Sequence, residues 1–429
     1  MVQLLGRTAA THATGGPPGG ARALAAAVDL GTTTVAVRLL DVTSGMVVAE
    51  SVVSNGQVNW GSDVLSRITA ALEGHGPELS DAALDSITEA LSAATEAVGP
   101  DGSPVKRVVI AANPAMASLL TGAEVAGLAS HPFSSALHAV DTAVLARSLG
   151  VDSVLVVPPV AAFVGGDLVA GLLSVGLAEG ADGVLYVDIG TNAEVAFALS
   201  DRILVSSAPA GPAFEGWGIA CGGTAGEGGV KRVDIDRGEP MLLYDGPAPT
   251  HLTGSGLLSA IAALRASGQV DAGGLLSEDG PLARRIFDSD GVRAVSLGRE
   301  PGDRSLFLTQ LDIRAFQSAK AAVASAVRSV VSDSQTDVAP SRAIVSGAFG
   351  GAIDTDHLVA LGVLPRDVEG RIEVVADAVL SGASDMAFDP GLVKDAHRLV
   401  ARAHHVDLAA SEGFSVGFVE ALALEPFTL

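Results

Sequence analysis

Ala23 to Val28 is a continuous apolar run that breaks at Asp29-Leu30-Gly31-Thr32-Thr33-Thr34, resumes as Val35-Ala36-Val37-Arg38-Leu39-Leu40, and meets a turn signal at Asp41 to Gly45. This pattern predicts strand, tight loop, strand and turn. The device recurs: Val184-Leu185-Tyr186-Val187 leads into Asp188-Ile189-Gly190-Thr191-Asn192 and then Glu194 to Leu199. Aligned, Val28-Asp29-Leu30-Gly31-Thr32 matches Val187-Asp188-Ile189-Gly190-Thr191, and the similarity continues over the second strand with one residue inserted. Such a repeat points to duplicated architecture. Between the copies the pattern predicts helices over Ser62 to Leu72 and Asp81 to Val98, and a third opening at Asn113-Pro114 after a strand from Arg107 to Ala111. Asn as cap and Pro at the first helical position make that start well formed. Further on, Leu252-Thr253-Gly254-Ser255-Gly256 opens a helix, a long helix spans Asp312 to Val331, and a strand from Arg342 to Val345 runs into Ser346-Gly347-Ala348-Phe349-Gly350-Gly351. Strands alternating with helices in both halves predict two α/β lobes. The division expected is a flexible tail, 1–22, a first lobe, 23–178, and a second lobe, 179–429.

Composition narrows the chemistry. Against 26 Lys and Arg stand 49 Asp and Glu, a formal charge of −23, which argues against nucleic acid and anionic membrane surfaces as partners. A nucleotide would need a bound cation and backbone N–H groups to overcome that field, so any nucleotide reading implies Mg2+. With Cys221 alone, this chain cannot form an internal disulfide and holds no iron–sulfur cluster on cysteine. The stretch Val151 to Leu177 is interrupted by Pro158, Pro159 and Asp167, which disqualifies it as a membrane span; the expected address is cytoplasmic. The nine His show no metal-ligand spacing, and His404-His405 are expected on a helix surface.

At a hairpin bend, Gly31 lets a phosphate approach the backbone, while the amides and hydroxyls of Thr32, Thr33 and Thr34 can donate to its oxygens. Gly190, Thr191 and Asn192 are the counterparts. Asp29 and Asp188 then face the ligand, where a strand-end carboxylate suits Mg2+, which takes one or two protein carboxylates plus phosphate oxygens. Either bend alone also reads as an ordinary turn capped by Asp and Thr. The pair, facing one another, would clamp a triphosphate. The glycine loops carrying Gly254 and Gly256, and Gly347 and Gly350, sit at expected helix starts where adenine or ribose could lie against backbone, or are simply turns. Gln317 and Lys320, on the long helix, either touch the nucleoside or are solvated. Glu215, in Ala210-Gly211-Pro212-Ala213-Phe214-Glu215-Gly216, reads as a carboxylate orienting an attacking water or as a turn acid. Asp63 and Arg67 read as an i,i+4 pair.

The two aspartate-glycine-threonine hairpins and Gly347 to Gly351 resemble the phosphate and adenosine elements of the superfamily of actin, sugar kinases and heat-shock chaperone ATPases. Four segments are more specific: 61–68, 158–167, 210–216 and 308–314 look like the ATPase portion of the reductive activators of corrinoid (cobalamin) proteins. The resemblance runs from about Ala23 to the C-terminus, with Ala115 and Ser346 departing from the usual hydroxyl residue and glycine. It implies two actin-like (ribonuclease H-like) lobes with a nucleotide cleft between them. It also implies an ATPase that docks on a corrinoid protein of a methyltransferase system and uses ATP to return cobalt(II) to cobalt(I). By motif, Asp29 and Asp188 would hold magnesium and water. Gly31, Thr32, Thr33, Gly190, Thr191 and Asn192 would hold phosphates, and Gly254, Gly256, Gly347 and Gly350 would approach the nucleoside. Relatives usually begin with a ferredoxin-like domain; here a separate ferredoxin or flavoprotein would supply the electron, and a homodimer is implied by the same resemblance. Two other readings fit the residues: a small-molecule kinase of the same fold, with one aspartate as base, and a non-catalytic nucleotide-binding assembly module, against which the paired aspartates argue.

Overall fold

The structure, a computed structural model, describes residues 10–13, 23–99, 103–137, 141–347 and 353–429. They fall into two units. The first runs up to Gly180 and takes in Ala378–His405; the second comprises Ala181–Asp377 and Val406–Leu429. The sequence division after residue 178 lies two residues away, but it had no signal for 378–405, which belongs with the first unit.

The first unit is built on a sheet of strands β1 (Ala10–Ala13), β2 (Leu24–Leu30), β3 (Thr34–Asp41), β4 (Val47–Ser54), β5 (Val105–Ala112) and β6 (Ser153–Val156). Their order is β1-β4-β3-β2-β5-β6. Strands β2, β3 and β4 form an antiparallel meander, and β5 and β6 add in parallel. The backbone of β1 pairs antiparallel with β4, so this part of the expected tail is an edge strand. Strand β2 reads as an apolar run up to Asp29 because both of its faces are covered. Leu24, Ala26, Val28 and Leu30 join the core with Leu79, Ala83, Ile87, Ala90 and Ala94 of the helix Gly76–Val98. Their three- and four-residue spacing makes the apolar stripe of that helix. Strand alternation puts Ala25, Ala27 and Asp29 on the opposite face, and the helix Ala378–Phe388 packs against this strand.

Up to Gly180 the helices of this unit are, in chain order, α1 (Val64–Ala70), α2 (Gly76–Val98), α3 (Pro114–Thr121), α4 (Ala143–Leu149) and α5 (Gly166–Ser174). Helix α3 starts as its sequence predicts: Asn113 accepts the Met116 N–H at 2.9 Å, and Gly122 ends it in the left-handed region.

The second unit repeats the plan. Its main sheet contains β7 (Val184–Ile189), β8 (Ala193–Ala198), β9 (Ile203–Ala208), β16 (Arg342–Gly347) and β17 (Ile372–Val374), in the order β17-β16-β7-β8-β9. Strands β7, β8 and β9 are again an antiparallel meander, and β16 and β17 are again parallel additions beside its first strand. Between them come two small three-stranded sheets that the sequence reading had not separated. One is formed by β10 (Gly229–Asp236), β11 (Glu239–Tyr244) and β12 (His251–Leu252), the other by β13 (Ile286–Ser289), β14 (Val292–Ser296) and β15 (Phe307–Thr309).

Helix α6 (Gly254–Ala266) follows β12, and α7 (Gln310–Asp333) begins in a capping box in which Thr309 and Asp312 satisfy each other's main-chain N–H groups. Asp312 uses its other oxygen to accept the Ala220 N–H at 2.9 Å, which accounts for an acid inside the motif 308–314. His404 and His405, expected on a helix, lie exposed in a short strand, Ala403–His405. Among the described residues no helix is long and apolar enough to cross a membrane.

Candidate functional site

In the first unit, Asp29 occupies the penultimate position of β2, and the bend that follows is held from behind. The Gly31 N–H donates to the Thr34 carbonyl at 3.0 Å and closes the turn. Fully buried Asn55 donates through Nδ2 to the Gly31 carbonyl at 2.8 Å, and its main-chain N–H donates to the Thr33 carbonyl at 2.9 Å. Arg67, also fully buried, donates through Nη2 to the Thr32 carbonyl at 2.6 Å and through Nε to the Gly61 carbonyl at 3.0 Å.

Three successive carbonyls are thus turned inward. In a planar trans peptide the N–H points opposite to the C=O, so the N–H groups of Thr32, Thr33 and Thr34 project the other way. That is the arrangement a phosphate-binding bend requires. Asn113 adds a weak contact to the Thr32 hydroxyl at 3.4 Å.

The i,i+4 reading of Asp63 and Arg67 needs revision. Asp63 caps α1 by accepting the Ser66 N–H at 2.9 Å, while Arg67 reaches the bend. Desolvation lowers the Arg67 pKa to about 10, partly offset by Asp63, so the group is charged at neutral pH. Asp167, read from the sequence as a break in an apolar stretch and as the end of segment 158–167 but not as a site residue, is a second acid here. It sits at the start of α5, its Oδ1 accepting the Leu168 N–H at 2.8 Å, and desolvation pushes its pKa up to about 6 against the pull of main-chain N–H groups. A Cβ on Gly165 would fall 2.4 Å from the Ala112 carbonyl and 2.7 Å from Asp167 Oδ1. Since β2 and β5 pair Asp29 with Ala111 and Leu30 with Ala112, Asp167 belongs to the same end of the sheet as Asp29.

In the second unit the equivalent bend is closed by the Gly190 N–H on the Asn192 carbonyl at 3.0 Å, and the Thr191 carbonyl accepts the Gly211 N–H at 2.8 Å. Both the N–H and the hydroxyl of Thr191 donate to Oε1 of Glu215, at 2.7 and 2.9 Å. Glu215 therefore holds the bend itself rather than standing apart from it. Asp188, 8% exposed, is in register with Ser346 on one side and Glu194 on the other. Glu194, itself buried and bonded by Ser207 Oγ at 3.2 Å, was not found from sequence because it carries no motif. It becomes relevant only through the cross-strand register that puts it beside Asp188.

Gly347 is brought to the same place. Its φ is +102°, and a Cβ there would lie 2.5 Å from Asp188 Oδ1 and 2.3 Å from the Ile189 carbonyl, so only glycine leaves the carboxylate where it is. Gly350 lies outside the described residues.

Four other expected contacts are placed differently. A Cβ on Gly254 would meet the Phe214 carbonyl at 1.7 Å, and one on Gly256 the Val230 carbonyl at 2.0 Å; these glycines let α6 pack on main chain. Gln317 and Lys320, each nearly inaccessible, are turned away from solvent. Gln317 Nε2 donates to the Gly273 and Leu422 carbonyls, and Lys320 Nζ to those of Leu361 and Ala423, at 3.0 and 2.6 Å. They fasten the C-terminal segment, and burial takes the lysine pKa down to about 7.

Among the described residues no group of three or more His, Cys, Asp and Glu is arranged to hold a metal. Hard carboxylate oxygens at Asp29 and Asp188, one per bend, instead fit Mg2+, which keeps most of its waters and takes few protein ligands.

Two units with one strand plan, each ending the first strand of its antiparallel meander in an acidic bend, define an actin-like protein of the ASKHA class. Residues 182–428 match the family model described as the C-terminal domain of RACo, the ASKHA domain, and residues 24–180 match the RACo middle region. The chain belongs to this family of reductive activators of corrinoid proteins.

It is 30% identical over 368 residues to the corrinoid activation enzyme RamQ of Eubacterium limosum, covering 80% of this chain. The chain spans 60% of that relative's length. It is 25% identical over 430 residues to the [Co(II) methylated amine-specific corrinoid protein] reductase of Methanosarcina barkeri, covering 91% of this chain and 75% of that protein. A solved reductive activator for corrinoid, iron-sulfur protein superposes with a TM-score of 0.87 at 27% identity, over 95% of this chain and 67% of its own.

Proposed function

We propose that this chain is a Mg-ATP-dependent ATPase that activates a corrinoid protein by coupling ATP binding and hydrolysis to reduction of cobalt(II) to cobalt(I). The observation that carries the reading is the bend after β2, where three inward carbonyls aim the N–H groups of Thr32, Thr33 and Thr34 outward beside Asp29, with a second acidic bend after β7 beside Asp188. Membership of the family and the names of the relatives supply the corrinoid partner.

The backbone donors and threonine hydroxyls of each bend would bind phosphate oxygens, and Asp29 in its unit and Asp188 in its own are the carboxylates that would hold a cation and orient its waters. Magnesium, when bound, neutralises phosphate charge that a chain of net charge −23 would otherwise repel. Hydrolysis turns ATP and water into ADP and phosphate, while cobalt(II) gains one electron. That electron comes from outside these 429 residues, whose single cysteine cannot hold a cluster. A ferredoxin or flavoprotein donor, and a homodimer, belong to the same proposal. Coupling requires the corrinoid protein to bind one nucleotide state better than the other, because a ligand shifts a conformational equilibrium only by its differential affinity.

The test mixes the protein with Mg-ATP, a low-potential reductant and an oxidised corrinoid protein, and follows the cobalt absorbance. The cobalt(I) spectrum is expected to build up with ATP and not without it. ADP formation that ignores corrinoid proteins and responds to a small metabolite acceptor, with the phosphoryl group recovered on that acceptor and not as free phosphate, would instead mark a kinase.

A further inference from the structure

The bends match from Asp29 to Thr32 and from Asp188 to Thr191, yet their donors are used differently. At the first, the peptide N–H of Thr32 is turned outward by the inward-held Gly31 carbonyl. Thr191 is its counterpart in the repeat, and its N–H and hydroxyl both already donate to one carboxylate oxygen, Glu215 Oε1. A carboxylate oxygen and a phosphate oxygen make the same demand on such a pair of donors: a small anionic acceptor at hydrogen-bond distance.

We infer that in the nucleotide-free protein the Glu215 carboxylate occupies the seat on Thr191 that a phosphate group of ATP takes, so that nucleotide binding has to displace it. This rests on the ATP reading given above.

The surroundings suit a side chain that swings while its backbone stays. Glu215 ends the short turn Pro212–Glu215, which is bracketed by Gly211 and Gly216 at φ +77° and +79°. Its neighbour Phe214 is fully buried, stacked edge-on against Phe316 with ring centroids 5.5 Å apart. The Phe214 carbonyl lies against Gly254 at the start of α6. The main chain is therefore anchored on both sides, whereas the Glu215 side chain is only partly buried. Two anionic oxygens cannot share the two donors of Thr191, because like charges a few ångströms apart repel strongly away from bulk water. Glu215 thus acts on the phosphates alone and lowers ATP affinity by the strength of the contacts it must give up.

The test is calorimetric titration of the wild-type chain, Glu215→Gln and Glu215→Asp with Mg-ATP and with adenosine, together with their melting curves. Neutral glutamine keeps the shape without the charge, and aspartate is a methylene too short to reach Thr191. Giving up a charge-assisted hydrogen bond corresponds to about tenfold in affinity. Both variants are therefore expected to bind Mg-ATP about tenfold more tightly than wild type, with adenosine affinity unchanged and a modestly lower melting temperature that Mg-ATP restores. Variants that melt cooperatively but bind Mg-ATP equally or more weakly would overturn the inference and make Glu215 a fixed strut. Binding of Mg-ATP by none of the three proteins would overturn the ATP reading itself.

Discussion

Asp29→Asn and Asp188→Asn are each expected to cut phosphate release from Mg-ATP by about a hundredfold or more, with melting temperatures equal to or above that of the wild type. Asparagine preserves volume and a carbonyl oxygen but removes the charge, so the effect isolates what the anion does for the bound cation and its waters. Removing one preorganised electrostatic contact from a water-poor site costs about 2.7–4 kcal/mol of transition-state stabilisation. The folded state should not suffer. Asp188 is nearly buried with Glu194 beside it in register, so neutralising one of two adjacent acids in a chain of net charge −23 relieves repulsion. Phosphate release at the wild-type rate in both variants would remove the catalytic reading and leave a nucleotide-binding module.

The second large effect is expected at a residue remote in sequence from either motif. Arg67→Met fills much the same volume but withdraws the guanidinium from the Thr32 and Gly61 carbonyls and from Gln57 Oε1, which it reaches at 3.3 Å. Each buried carbonyl left without a donor costs about 1–3 kcal/mol, so a loss of about 3–5 kcal/mol is expected from chemical denaturation. Mg-ATP affinity should fall as well, because freeing the Thr32 carbonyl lets its peptide rotate and the Thr33 N–H lose its direction. Burial holds the Arg67 pKa at about 10, below the ordinary arginine range. A depressed base penalises the charged folded form at all pH values below about 10, and stability recovers only as pH rises from there toward the ordinary arginine value. Its contribution is therefore constant near neutrality, and the loss in Arg67→Met should be the same at pH 6 and pH 8. A variant as stable as wild type that binds Mg-ATP normally would show that the bend needs no such support.

The repeat was legible because Asp-x-Gly-Thr bends and their flanking strands are local: each is specified within about a dozen residues, and the pairing of β2 with β3 and of β7 with β8 follows directly. What holds the bends was not legible. Asn55 and Arg67 reach back 24 and 35 residues, and helical spacing alone assigns Arg67 to Asp63, a neighbour on its own helix. Lys320 and Gln317 looked available because nothing nearby in sequence claims them. One acceptor of each, Ala423 and Leu422 respectively, lies more than a hundred residues later. Gly254 and Gly256 illustrate the converse: a glycine that admits a ligand and one that admits a neighbouring carbonyl have the same sequence signature, and only the approach of Phe214 and Val230 separates them. The return of Ala378–His405 to the first unit has no local signature, since a helix with one apolar stripe fits any complementary face.

The account stands most directly on nucleotide uptake. Titration of the whole chain with ATP in a calorimeter, with magnesium and then with a chelator in its place, is predicted to show one ATP bound per chain with Mg2+ and much weaker binding once the metal is withdrawn. Absence of heat with both ATP and ADP in the presence of magnesium, from protein that melts cooperatively, would contradict it.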